Sequence, residues 1–241
     1  MTSTGCGSEA DNHAIIGALE AEEARRREGL FNGMAPLPHV VTSNVEHPAI
    51  EQCLEALKAA KRLTVTYVHV DGEGRVSSSS IAAAVTRETF LVTVMHSNNE
   101  VGSINPLAEI SEAVRAAPEW SPHGLIHTDA AQSIAKVDTD VGALGVDLMT
   151  IVGHKFGAPK GVAALYIKRG LQLPKLLHGG GQEAGRRAGT EAVVMLAALG
   201  EAARLAKAEA GPLRAHMRRT RKKQTTANGP SPTSACPSPR P

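Results

Sequence analysis

The chain has 241 residues, of which 42% are hydrophobic, and a formal net charge of +2. That length and composition can bury a sizeable core and argue against general disorder. The small net charge gives no electrostatic footprint for nucleic acid. No apolar run approaches the roughly 20 residues needed to span a bilayer; the longest runs only from Ala192 to Leu199.

In chain order, strand-like runs fall at 39–43, 63–70, 90–95, 124–128, 147–152 and 162–167, and helical patterns near 12–28, 48–61, 106–117 and 191–209. Aromatics make up only 2%, so the core must rest on Ala, Val, Leu and Ile. Alternation of this kind predicts an α/β fold, a mostly parallel sheet with helices on both faces. Residues 1–210 read as one large domain. Residues 217–241, opening on Met217 and the basic RRTRKKQ run and continuing into Pro/Ser-rich sequence, read as a disordered tail.

Two runs carry the chemistry. In DLMTIVGHKFGAPKGVAALYIK, 147–168, the apolar strand Leu148 to Val152 delivers His154 and Lys155 to a loop broken by Gly157, Pro159 and Gly161. A lysine shielded at such a mouth loses part of its preference for the charged form and becomes nucleophilic enough to condense with an aldehyde. An ordinary surface lysine is the bland alternative. In GLIHTDAAQSIAKVDTDV, 124–141, Asp129 follows a short buried strand. Its bland alternative is a helix N-cap before Ala130. A lysine and a carboxylate at strand ends are the pair that pyridoxal phosphate requires, one for its aldehyde and one for its ring nitrogen.

Five motifs in order, from about Gly5 to about Leu205, resemble the cysteine desulfurase and selenocysteine lyase family of class V aminotransferase-like enzymes. The first is TSTGCGSEADNH, where Gly7, Ser8 and Glu9 open a helix whose amides suit a phosphate. The second is HVVTSNVEHPAI, with Pro48 at a helix start, and the third is FLVTVMHSNNEVGSINP. The Asp129 and Lys155 runs count together as the fourth, and LLHGGGQEAGRRAGTEA is the fifth. The resemblance implies the large domain of a fold-type I enzyme holding pyridoxal 5′-phosphate on Lys155. It further implies His47 stacked over the ring, Asn99 and Gln132 beside the phenolic oxygen, Asp129 at the ring nitrogen, and Gly7, Ser8 and His154 among the cofactor contacts. Lys155 and His47 are the catalytic candidates. Thr190 is expected to reach the phosphate of the other subunit, which implies a homodimer.

The implied reaction cleaves the C–S or C–Se bond of L-cysteine or L-selenocysteine. It yields L-alanine and passes sulfur or selenium to a cysteine or an acceptor protein. IVGHKF leans toward the lyase, and NNEVG with LLHGGGQE toward the desulfurase. Two departures stand out: Val152 where relatives carry a phosphate-binding serine, and Ala184 where they carry an arginine, Arg187 being retained. Relatives also carry an earlier N-terminal segment and a C-terminal domain with a mobile catalytic cysteine. Cys236, in its SAC triplet, comes too soon after Thr190 to be that residue, so an incomplete form lacking the cysteine loop is expected.

Cys6, Cys53 and Cys236 form neither a disulfide framework nor a zinc spacing, which points to a reducing compartment, the cytosol first, with mitochondria kept open. Two other readings stand beside the main one. One is a non-catalytic cofactor-binding remnant or partner subunit. The other is a zinc-dependent hydrolase, since His123, His127 and Asp129 would share one strand face.

Overall fold

A computed structural model of the chain describes residues 1–28 and 36–228. Seven strands form one sheet: β1 (Thr2–Thr4), β2 (His39–Ser43), β3 (Thr64–Val68), β4 (Thr89–Thr93), β5 (Leu125–Asp129), β6 (Leu148–Val152) and β7 (Ala163–Ile167). Their order is β1-β7-β6-β5-β4-β2-β3. β2 to β6 pair parallel, while β7 runs antiparallel to both β6 and β1. The sheet is therefore mostly parallel, as the alternating elements implied, with one reversed strand.

Near-continuous apolar strands are what a sheet covered on both faces requires. Successive residues separate cleanly between the two cores, because side chains alternate along a strand. Val40, Leu91 and Leu148 pack on one face beneath α1 (Gly7–Glu28) and α2 (Pro48–Ala59). Val41, Val92 and Met149 pack on the other with α3 (Ser78–Ala83) and α4 (Leu107–Ala116). The short α5 (Val141–Leu144) ends on Gly145 in the left-handed conformation. α6 (Val193–Asn228) buries Leu199 and Ala202 against Ala158, Val162 and Ala164.

Two differences from the sequence reading have physical causes. β1 is only Thr-Ser-Thr and has no hydrophobic signal; it exists because it pairs with β7. α6 continues through Pro212 and past 217 to Asn228, where composition suggested that structure would stop. Leu, Ala, Met, Arg and Lys are strong helix formers, so an extension exposed from 217 to 222 needs no core of its own. The Arg214 guanidinium ties it down by donating to the Val137 carbonyl. Cys236 lies outside the described residues. Among those residues, no helix is long and apolar enough to cross a membrane.

Candidate active site

Strand direction alone gathers the motifs. β1, β2, β4, β5 and β6 all run the same way, so the residues that follow them emerge at one edge of the sheet. These are the Gly5–Ser8 loop, His47, Asn99, Asp129 and Lys155. Ligands of open α/β sheets bind outside this carboxyl edge.

Asp129 is the last residue of β5 rather than the residue beyond it, and it is only 6% exposed. Its Oδ1 accepts the Ala131 N–H at 2.8 Å, which closes a turn; the chain continues as turns and not as the helix an N-cap would have started. Burial pushes its carboxyl above the usual carboxylate range, while the Ala131 N–H, His47 and Lys155 pull it back toward ionisation. Lys155 closes a 3-10 turn, Gly153–Lys155, directly after β6. That turn needs glycine: a Cβ on Gly153 would sit 2.8 Å from the Val162 carbonyl oxygen. His154 and Lys155 are both exposed, so the shielding expected of Lys155 from its place after an apolar strand is not found in this chain.

His47 is the N-cap of α2, accepting the Ala49 N–H on Nδ1 at 3.1 Å, with Pro48 in the first turn. With Nδ1 occupied, the neutral ring carries its proton on Nε2. Gln132 is half-buried and its Oε1 accepts from Lys136 Nζ at 3.2 Å. Burial, and then the nearby charge of Lys155, push the Lys136 amine down. Lys136 is a second amine at this edge that motif reading passed over. Asn99 is exposed; its neighbour Asn98 builds the turn, donating to the Val45 carbonyl and accepting the Glu100 and Val101 N–H groups.

The Gly5–Ser8 loop opens a 22-residue helix, whose free N-terminal amides favour an anion. A Cβ on Gly7 would lie 2.6 Å from Val152 Cγ2. Val152 thus occupies the space that any larger residue at 7 would fill. Glu9 reaches back to accept the Gly5 N–H at 2.7 Å and is held by Arg187 through Nε at 2.8 Å and Nη2 at 3.2 Å. Ser3 donates to Glu183, which ties the glycine-rich loop to β1 as well as to α1. Glu183 and Ala184 both adopt positive φ, 52° and 57°, a conformation costly for residues with a Cβ. Ser8 and Thr190 are exposed.

The metal reading does not survive. His123 lies in the exposed turn before β5, off the strand. His127 is fully buried, with Nδ1 2.8 Å from Thr93 Oγ1 and Nε2 3.1 Å from Thr150 Oγ1, so neither nitrogen has a lone pair free for zinc. Burial pushes its pKa down to about 3. Among the described residues, no three His, Cys, Asp or Glu side chains form a group able to hold a metal ion.

Residues 27–229 match the aminotransferase class-V family model. The chain belongs to that family. Among curated class-V relatives it is 40% identical over 202 residues to a cysteine desulfurase of Trichormus azollae, covering 84% of this chain and 46% of that protein. It is 42% identical over 229 residues to a selenocysteine lyase of Xenopus tropicalis, covering 90% and 53%. Among solved structures, a NifS-like protein superposes with a TM-score of 0.82 at 32% identity, covering 93% of this chain and 57% of that one. DndA from Streptomyces lividans superposes at 0.74 and 35% identity, covering 87% and 56%. A third structure, SspA in complex with cysteine, matches at 0.74 and 33%, covering 84% and 54%. The chain spans about half the length of the curated relatives it matches.

Proposed function

We propose that this chain builds the cofactor site of a pyridoxal 5′-phosphate enzyme that cleaves the C–S bond of L-cysteine or the C–Se bond of L-selenocysteine. The observation that carries the reading is the convergence of Asp129, Lys155 and His47 at one sheet edge, with the Asp129 carboxyl buried and the Lys155 amine exposed. The donor set fits the cofactor. An exposed amine meets an aldehyde, a buried carboxylate meets a protonated ring nitrogen, and a helix N-terminus freed of side-chain bulk at Gly7 meets a phosphate.

When bound, the cofactor supplies an electron sink for carbanion character at the substrate α-carbon. Lys155 would hold the aldehyde, and its Nζ is the base that would carry the α-proton. Asp129 would keep the ring nitrogen charged, and His47 would stack on the ring. Gly7 and Ser8 would hold the phosphate, Asn99 and Gln132 would serve the phenolic oxygen, and His154 would be a further cofactor contact. Val152 removes one hydroxyl from this set, so the Gly7 and Ser8 amides would carry more of the phosphate, the Gly5 N–H being given to Glu9.

A homodimer completes the reading. Thr190 is exposed, and the adjacent Val193 and Val194 are 71% and 79% exposed, an apolar patch suited to a second copy. Cys53, buried with its thiol pushed up to about 11, is a poor acceptor for the sulfur or selenium, whereas Cys6 is exposed in the Gly5–Ser8 loop. The test is titration of the purified chain with pyridoxal 5′-phosphate, followed by visible absorbance. Lys155→Ala abolishes the protein-bound band; an unchanged band in that variant removes Lys155 from its role.

A further inference from the structure

Asp11 lies on the buried side of α1, only 2% exposed, and its Oδ1 has no hydrogen-bond partner. None of the established motif residues explains a carboxyl in this position. The ionisable groups facing it are Asp129 and His127 from β5, Glu46 from the β2–α2 turn and Cys53 from α2. None offers it a cation. His127 Nε2 stands 3.9 Å from Asp11 Oδ1, and its two nitrogens are occupied by Thr93 and Thr150, as suits a neutral ring. Thr150, from β6, is the group that favours the ionised form of Asp11.

Asp129 lies two residues beyond His127 on the same face of β5, so the two carboxyls share one dry interior and do not both ionise. Their surroundings decide which one keeps the proton. Asp129 accepts a backbone N–H and faces His47 and Lys155. Asp11 has an orphaned oxygen and two acidic neighbours instead. We infer that Asp11 is a positioning residue: it remains an un-ionised acid beneath the site and so confines the negative charge to Asp129. Burial, and next the charge of Asp129, push the Asp11 carboxyl well above its ordinary range, in keeping with that geometry. A neutral Asp11 takes one anion out of the field at Asp129; the other acid there, Glu46, is likewise pushed up, to about 8, by burial.

The inference rests on Asp129 being the ring-nitrogen partner, but its test does not need the cofactor. In the cofactor-free chain, infrared difference spectra of wild type against Asp11→Asn isolate the carbonyl stretch of an un-ionised carboxyl at neutral pH. The expected result is loss of that band in Asp11→Asn and its retention in Asp129→Asn, with its titration midpoint lowered by about one pH unit once the like charge is gone. A merely structural Asp11 would show no such shift. Loss of the band in Asp129→Asn, its persistence in Asp11→Asn, or an unmoved midpoint overturns the proposal. Should Asp11→Asn not fold, carbon-13 spectra of wild type labelled at its aspartate carboxyls decide the matter: one buried aspartate stays un-ionised through neutral pH, or none does. In the loaded protein Asp11→Asn keeps cofactor affinity within about twofold. Failure of wild type to bind the cofactor would instead refute the function proposed above, leaving the protonation result standing.

Discussion

Gly7 and Val152 share a volume that only one of them can fill, and the cost of violating this can be worked from the structure. A methyl added at Gly7 would stand 2.6 Å from Val152 Cγ2, well inside ordinary carbon contact of about 3.5–4.0 Å. Overpacking of this kind costs about 1–3 kcal/mol, offset by about 0.5–1 kcal/mol from replacing a helical glycine by alanine. Gly7→Ala is therefore expected to destabilise the chain by up to about 2.5 kcal/mol. Val152→Ala removes two buried carbons and by itself costs roughly 1.6 kcal/mol. The double variant should cost at least about 1 kcal/mol less than the sum, because the alanine at 7 then occupies the space Val152 vacated. Urea unfolding of the four proteins closes the cycle. Additivity to within about 0.5 kcal/mol, or a stabilising Gly7→Ala, would refute the steric argument.

The pairing of Arg187 with Glu9 is bidentate and mostly shielded, so Arg187→Ala is expected to destabilise by about 1–3 kcal/mol and weaken cofactor binding, with Arg187→Lys restoring only part. Chemical unfolding and a cofactor titration check both. His127 is held neutral, its pKa pushed to about 3 from 6.5, so the unfolded chain binds the extra proton. Stability contributed by the neutral ring is complete above pH 6.5 and falls as pH drops toward 3. The slope approaches 1.4 kcal/mol per pH unit, and His127→Gln should flatten it by about one proton. The sign reverses for Asp11, whose folded carboxyl is raised: its contribution is complete below its unfolded pKa of 3.8 and is lost as pH rises. Asp11→Asn should remove that loss in cofactor-free unfolding measured above pH 4.

The strands and long helices were legible because apolar runs of Val, Leu and Ile mark elements buried on both faces. Their parallel direction, once inferred, already implied a single edge for the His47, Asp129 and Lys155 motifs. What periodicity could not reveal lay in pairings remote along the chain. β1 has no apolar residue and depends on β7. α3 begins Ser78-Ser79-Ser80, which reads as a turn until Ser77 caps it by accepting the Ser80 N–H. The Arg187–Glu9 tie spans 178 residues. His127 looked like a ligand on spacing, and only the positions of Thr93 and Thr150 show a satisfied core histidine. Lys136 and Asp11 lie inside quoted motifs but had no role assigned there, since each matters through a neighbour from another element.

The central claim is that Lys155 is the amine that takes the cofactor, and Lys136, half-buried beside it with its own pKa lowered, is the natural rival. Reduction with borohydride after loading with pyridoxal 5′-phosphate, followed by peptide mass mapping, distinguishes the two. A stable pyridoxyl label on Lys155 that disappears in Lys155→Ala is the predicted result. A label on Lys136, or one that persists undiminished in Lys155→Ala, would contradict it.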